Sequence, residues 1–452
     1  MNIIVVGCGK IGTTIVENLA SEGHDLVVVD NNSDIVNTLT NTYDVIGVCG
    51  NGADYDTLEE AKANKAQLVI ATTESDELNM LCCFIAKRMG AENTIARIRK
   101  PEYNDNNLTF MRKELEISVA INPDLLAARE LFNILRLPSG AKVETFSSRN
   151  FELIELKLKD DSPLDGKKLC ELRSKFKANF LVCAVQRGDD VYIPDGNFIL
   201  KSGDKVCFTA LATEIIKFFK EINIQYSQAR NVMIIGGSRI AVYLAKMLTT
   251  IGNNVTIIEK DTKTCEELCE ALPKVMVINA DGTQQDLLLE EGLVTADAFV
   301  ALTGMDEQNI LLSGFAAKEN VPKVVAKINR EELIPMAEHL GIECIVSPKK
   351  IVSNKFVQYA RALENSTGSS VETLYKVMDN NVEALEFRVM SDFPKLQIPF
   401  KTLKTKPNTL IAGIVRGKKV IVPSGEDMFC ADDKVIVLAA GQRINKLTDI
   451  LE

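Results

Sequence analysis

With 452 residues, 46% of them hydrophobic and 25% charged, the chain reads as a globular protein too long for one ordinary domain, and length alone predicts about three. Nothing approaches the ~18 consecutive apolar residues of a membrane-spanning helix. The strand pattern begins at once, without a basic leader or cleavage site, so no signal peptide is expected. A formal net charge of −10 argues against nucleic acid or an anionic lipid surface as the main partner. Eleven cysteines with no Cys-x-x-Cys pair, and only His24 and His339, predict reduced cytosolic thiols and no metal site. Cys265 and Cys269, one helical turn apart, read as helix packing.

In chain order, "IIVV" at 3–6 predicts a strand, residues 10–21 a helix, and "LVVVD" at 26–30 a second strand. "VIGV" at 45–48, a helix near 54–63, "QLVIAT" at 67–72, a helix near 76–89 and "TIARI" at 94–98 follow. This alternation predicts βαβ units, hence a parallel sheet with helices on both faces. The grammar then changes. "NFELIELKL" at 150–158, "LVCAVQRG" at 181–188, "VYIP" at 191–194 and "DKVCFTA" at 204–210 read as short strands, with turns at Asp189–Asp190 and Asp195–Gly196, in a small β-rich α+β domain.

The whole pattern then repeats. Gly7 matches Gly236 and Asp30 matches Glu259, an offset of 229; "SDELNM" at 75–80 matches "MDEQNI" at 305–310, an offset of 230. "AVQRGDDVYIPDG" at 184–196 matches "GIVRGKKVIVPSG" at 413–425, pairing Arg187 with Arg416, and Asp204 pairs with Asp433. The expected fold is therefore α/β: two Rossmann-like parallel-sheet domains, 1–122 and 229–352, each followed by a small α+β domain, 138–222 and 370–452. Boundaries are expected near 138–140, 225–231 and 364–370, where polar and turn-forming residues gather.

Gly7-Cys8-Gly9-Lys10-Ile11-Gly12 satisfies G-x-G-x-x-G directly after a strand and at the start of a helix, the context that makes the motif meaningful. The glycines permit the tight turn, the approach of backbone amides to a pyrophosphate, and close helix–strand packing. The helix N-terminus offers unpaired N–H groups to phosphates. Asp30, ending the second strand, supplies a carboxylate for ribose hydroxyls and would repel a 2′-phosphate, favouring NAD(H) or adenine nucleotides over NADP. Both NAD(H) and ATP or ADP present these groups. Thr72, Thr73 and Glu74 are expected beside the adenosine, with Thr73 or Ser75 also capping the next helix. Arg97, at the end of the fifth strand, is assigned to the ligand and Arg99 to a solvated or interface role, since the two alternate. Cys8 reads as a small filler.

The second loop, Gly236-Gly237-Ser238-Arg239-Ile240-Ala241, keeps the first glycine but has Ser238 and Ala241 at the second and third positions. Glu259 keeps the acid and Lys327 replaces Arg97; binding here is left open, weaker or for a different nucleotide. His24 falls in the turn after the first helix and His339 far from either loop, and there is no Tyr-x-x-x-Lys pair, so no catalytic residue is assigned. A regulator is expected. The alternatives are an NAD-dependent oxidoreductase or a regulator of another cation transporter or antiporter.

The blocks "VVGCGKIG", Asp30, "TTESDELNM" and "IARIRKPEY", with "IIGGSRIA" and "TGMDEQNI" in the second copy, resemble the tandem RCK-domain regulatory subunits of bacterial Trk potassium-uptake systems, over essentially the whole chain. The resemblance implies a protein without catalytic turnover that binds NAD(H) and adenine nucleotides, assembles as a tetrameric ring and docks on the cytosolic face of a Trk-type membrane potassium transporter subunit. By motif, Gly7, Cys8, Gly9, Lys10, Ile11, Asp30, Thr73, Glu74 and Arg97 form its first nucleotide site; Ser238 and Ala241 depart from that pattern in the second.

Overall fold

The computed structural model of the chain describes all residues except 101–102, 104–105, 137–141, 146–150, 223–228, 343, 367–370, 379–380, 418, 443 and 445. The predicted boundary at 138–140, and most of those at 225–231 and 364–370, lie outside the described residues.

The first domain runs β1 (Asn2–Val6), α1 (Lys10–Ser21), β2 (Asp25–Asp30), α2 (Ser33–Thr42), β3 (Val45–Cys49), α3 (Tyr55–Glu60), β4 (Leu68–Ala71), α4 (Asp76–Met89), β5 (Thr94–Arg97), α5 (Asn106–Glu114), β6 (Val119–Ile121) and α6 (Pro123–Arg136). Its six strands are all parallel, in the order β3-β2-β1-β4-β5-β6. The chain reverses direction across the sheet between β1 and β4, which opens a crevice at their carboxyl ends, where ligands bind in such sheets. Central strands are buried along their length, β4 at every residue, as expected of a sheet covered on both faces. Helix α4 shows why the local sequence obeys this layout. Ser75 Oγ accepts from Leu78 N, Asp76 and Glu77 occupy the first turn, Lys87 and Arg88 the last, and Gly90 closes the helix at φ +119°.

The small domain contains β7 (Lys142–Thr145), β8 (Phe151–Lys157), α7 (Leu169–Lys175), β9 (Phe180–Arg187), β10 (Asp190–Tyr192), β11 (Lys205–Leu211) and α8 (Ala212–Glu221). Its sheet is antiparallel, ordered β10-β9-β11-β8-β7. The β9–β10 turn falls at Gly188–Asp189, one residue before the expected Asp189–Asp190, because Gly188 takes φ +62° there. Asp195 does open a turn, closed by Phe198 N on its carbonyl at 3.1 Å.

The second copy repeats the parallel layout and the antiparallel strand order. Among the described residues its small domain has only single 3-10 turns, Phe400–Thr402 and Leu447–Ile450, and no α-helix, so the expected α+β pattern is weaker there. The parallel domain comprises β12 (Asn231–Ile235), α9 (Arg239–Thr250), β13 (Asn254–Glu259), α10 (Thr262–Ala271), β14 (Met276–Asn279), α11 (Gln285–Glu290), β15 (Ala298–Ala301), α12 (Asp306–Lys318), β16 (Lys323–Lys327), α13 (Ile334–His339), β17 (Cys344–Val346) and α14 (Pro348–Ser366), with sheet order β14-β13-β12-β15-β16-β17. Strands β18 (Val371–Val377), β19 (Val382–Arg388), β20 (Thr409–Arg416), β21 (Lys419–Ile421) and β22 (Lys434–Ala440) form the last sheet, ordered β18-β19-β22-β20-β21.

Packing joins like with like. One compact unit unites residues 1–132 with 229–360, the other 133–228 with 361–452. In the first, Ser353 Oγ on α14 donates to Thr14 O on α1 and accepts from Asn18 Nδ2 at 2.7 Å, while Asn122 Nδ2 at the start of α6 meets Tyr243 OH on α9 at 3.1 Å. In the second, Leu153, Cys183 and Cys207 share a core with Val382, Ala384, Ile436 and Leu438, and Thr209 Oγ1 donates to Ala412 O at 3.0 Å. Burying the leucine, valine and isoleucine side chains among these contributes about 1.5–3 kcal/mol each. No helix among the described residues is long and apolar enough to cross a membrane.

Candidate nucleotide site

The β1–α1 turn is held from three sides. Gly7 N donates to Val29 O of β2 at 2.9 Å, Thr72 Oγ1 donates to Gly7 O at 2.7 Å, and Thr13 Oγ1 donates to Cys8 O at 2.8 Å. Gly7 sits at φ +84°, and a Cβ there would lie 2.5 Å from Thr73 N, so the position excludes any side chain. A Cβ at Gly12 would lie 2.1 Å from Gly7 O; one at Gly9 would meet nothing within 4 Å. The loop is therefore packed tightly beneath and open above Gly9, over the first-turn amides that have no intrahelical acceptor.

Asp30 does more than wait for a ribose. Its Oδ2 accepts from Cys8 N at 2.6 Å and its Oδ1 from Asn32 N at 2.9 Å, so it fixes the glycine loop to the end of β2. An ionised carboxylate has about four lone-pair directions, which leaves acceptor capacity for a ligand hydroxyl. Cys8 is buried beneath the loop; burial, and then the Asp30 charge, push its thiol up to about 12, so it is a filler and no nucleophile.

Across the crevice, Thr73 and Arg97 follow β4 and end β5. Ser75, not Thr73, caps α4. Thr73 is instead clamped by Asn79, a residue that the sequence reading passed over. Asn79 Oδ1 accepts from Thr73 N and from Thr73 Oγ1, both at 2.7 Å, and its Nδ2 donates to Arg97 O at 2.9 Å and Thr73 O at 3.2 Å. All its hydrogen-bonding capacity goes into joining the ends of β4 and β5. Arg97 is 8% exposed and its Nη2 donates to Thr73 O at 2.5 Å; its Nε has no hydrogen-bond partner among the described residues. Burial, then the Arg99 charge, lowers its pKa, while Asp76, Asp124 and the exposed Glu74 oppose that shift. A guanidinium remains protonated under such a shift.

Arg99 does not face solvent freely. It forms a two-pronged pair with Asp124 of α6, Nε to Oδ2 at 2.9 Å and Nη2 to Oδ1 at 3.1 Å, and Asp76 Oδ2 accepts from the backbone amides of Arg99 and Lys100. Asp76, Asn79 and Asp124 are the residues missed from sequence. The signal for the first two was available: each recurs, as Asp306 and Asn309, at the same place in the repeat.

In the second copy the frame is the same and the ligand side differs. Glu259 Oε2 accepts from Gly237 N at 2.6 Å and its Oε1 from Asp261 N at 2.9 Å, as Asp30 does. Asn309 clamps Thr303 and Lys327 O as Asn79 does. Gly236 sits at φ +100°, with Gly237 and Ser238 half-buried, Arg239 exposed and Ile240 buried. Lys327 Nζ lies 3.5 Å from Leu302 O, and burial draws its pKa down. His24 lies at the opposite, amino end of the first sheet, between α1 and β2, and takes no part in either site.

The donor set suits a phosphate-bearing ligand with free ribose hydroxyls: open space over Gly9, a buried guanidinium whose Nε has no partner among the described residues, and a carboxylate at the strand end. The family model of the TrkA-N domain matches residues 3–123 and 232–348, and that of the TrkA-C domain 153–223 and 385–452, together well over half the chain. Similar proteins include a Trk system potassium uptake protein TrkA homolog of Archaeoglobus fulgidus, 28% identical over the full length of both chains. Another is the Trk system potassium uptake protein TrkA of Vibrio alginolyticus, 29% identical over 98% of this chain and 96% of the other. A TrkA homolog of Methanosarcina mazei is 30% identical over 86% and 94%. Among solved structures, the GsuK RCK domain superposes with a TM-score of 0.65 at 18% identity, covering 97% of this chain and 92% of that one, and the GsuK channel bound to NAD with 0.64, covering 97% and 77%. At that identity the likeness establishes the fold.

Proposed function

This chain belongs to the TrkA family of TrkA-N and TrkA-C domain proteins, and on that premise we propose that it is a nucleotide-binding regulatory subunit of a Trk-type membrane potassium transporter. It binds NAD(H), or ADP and ATP through the adenosine diphosphate they share, at the Gly7–Gly12 loop, Asp30, Thr73, Glu74 and Arg97. It works as a homotetrameric ring on the cytosolic face of the transporter, and it carries out no turnover of its own. The observation that carries this reading is the buried Arg97 at the end of β5, held by Thr73 O and Asn79 with its Nε unpaired, together with a glycine loop that is open above Gly9. A ligand shifts such a ring through differential affinity for two arrangements, typically ~1–3 kcal/mol of coupling per site, which a ring multiplies.

The test is a calorimetric titration of the full-length protein with NADH, NAD, ATP and ADP, with NADH absorbance followed throughout. It is paired with potassium uptake by cells that carry the wild type or Arg97→Ala. Saturable binding without NADH consumption, and uptake whose nucleotide response is lost in Arg97→Ala, is expected. Steady NADH consumption would support the oxidoreductase reading instead; uptake independent of the chain would point to a different transporter.

A further inference from the structure

The two glycine loops enter their helices through the same backbone conformation: Gly9 at φ −64°, ψ −165° and Ser238 at φ −65°, ψ 163°, a region open to any residue. They differ in what fills the helix end. No side chain caps α1. Ser238 caps α9 itself, its Oγ accepting from Ala241 N at 3.4 Å. That amide belongs to the first-turn set that a bound phosphate would engage.

The third loop position reinforces the difference. A Cβ at Gly12 would fall 2.1 Å from Gly7 O, yet Ala241 carries such a Cβ. The second loop therefore cannot hold its first glycine carbonyl where the first loop does, and Gly236 has turned to φ +100° against +84° at Gly7. Around it, Gly304 stands in place of Glu74, and Lys327, with a single point charge, in place of the forked Arg97.

We propose that Ser238 closes the second loop to a ligand phosphate by supplying, from within the chain, the oxygen that the first loop leaves for the nucleotide, so that each chain takes one nucleotide and its second half is held permanently capped. This inference rests on the nucleotide reading of the first loop. Ser238 is thus the residue that makes the two copies unequal: the first half changes state with its ligand, and the second provides a constant partner across the Asn18–Ser353 and Asn122–Tyr243 contacts.

The converse substitution tests it. Gly9→Ser places a Cβ where nothing lies within 4 Å, in a backbone conformation that Ser238 already adopts, so the variant is expected to fold and to cap α1. Gly9→Ala adds the same Cβ without the hydroxyl. Full-length wild type, Gly9→Ser and Gly9→Ala are titrated with NADH and with ADP, and their folding is checked by circular dichroism and thermal melts. One site per chain in the wild type, with affinity at least about tenfold weaker in Gly9→Ser than in Gly9→Ala, is expected. Two sites per chain in the wild type keeps the nucleotide reading and overturns this inference. So does wild-type affinity in Gly9→Ser, or an equal loss in both variants, which would make bulk rather than capping the cause. No saturable binding by the wild type removes the nucleotide reading and this inference together.

Discussion

The two parallel-sheet domains, built on β1–β6 and β12–β17, share a frame and differ at the rim where the nucleotide is proposed to bind. The frame consists of three clamps that recur at corresponding positions. An acid at the end of the second strand holds a glycine-loop amide at 2.6 Å in both copies, Asp30 on Cys8 and Glu259 on Gly237. A buried asparagine on the following helix ties the fourth strand to the fifth, Asn79 and Asn309. An aspartate at that helix start takes two backbone amides beyond the fifth strand, Asp76 and Asp306. The rim, by contrast, has changed at Gly9, Gly12, Glu74 and Arg97, which correspond to Ser238, Ala241, Gly304 and Lys327. Groups that satisfy buried backbone must persist for the sheet to form, whereas on the proposal above the groups at the rim are free to diverge once only one copy binds a nucleotide.

The largest effect expected from this comparison falls on the shared frame. Asn79→Ala removes four hydrogen bonds and leaves Thr73 N and Arg97 O buried without a partner, which costs about 3 kcal/mol. Asn309→Ala does the same at Thr303 and Lys327. Urea denaturation should give similar losses for the two variants. A silent Asn309→Ala beside a costly Asn79→Ala would break the comparison, because it would make the asparagine a ligand-site residue and not part of the frame.

Much of this was legible beforehand. Helices α1 and α4 begin and end where the sequence predicts, because a glycine turn starts one and Ser75, Asp76 and Gly90 bracket the other. The glycine loop, Asp30 and Arg97 were legible because their chemistry is carried by residue type at a fixed spacing after a strand. Other features were not. The three-residue strands β6 and β17 carry too little pattern to announce themselves. The pairing of like domains into two units depends on contacts such as Asn18 with Ser353, 335 positions apart, which no local pattern encodes. Asn79 and Asp124 look like ordinary polar helix positions until the fold brings Thr73 and Arg99 against them. Arg99 was assigned a solvated or interface role for the same reason: its partner Asp124 lies 25 residues on.

A smaller effect tests the rim. Arg97→Ala should weaken nucleotide binding about 30-fold, roughly 2 kcal/mol for one charge-assisted contact, while Lys327→Ala leaves the titration unchanged. Arg97 is the cleaner probe than Asp30: Asp30→Ala also frees the amides of Cys8 and Asn32, so loss of affinity there mixes ligand contact with loop geometry. Equal losses in Arg97→Ala and Lys327→Ala would show that both rims bind and that the asymmetry lies elsewhere.

The smallest effect comes from a surface pair that the copies keep by different means. Glu77 accepts from Lys100 and from Tyr103 OH, and the Lys100 bond, before its other contacts, holds the carboxyl down at about 2. Glu307 is lowered by Arg330 in the same place, with one arginine standing where the first copy uses lysine and tyrosine. In both, the folded pKa lies below the unfolded value of about 4.3, so the pair stabilises the fold above that pH, and its contribution fades as pH falls through the folded value. Both carboxyls are exposed, and solvent and salt screen them, so the loss is small. Comparing urea midpoints of the wild type, Glu77→Gln and Glu307→Gln at pH 6 and at the lowest pH where the protein stays folded should show each variant's deficit narrowing on acidification. A deficit in either variant that stays constant with pH would mean that the carboxylate charge does not matter there, and that the side chain acts by packing alone.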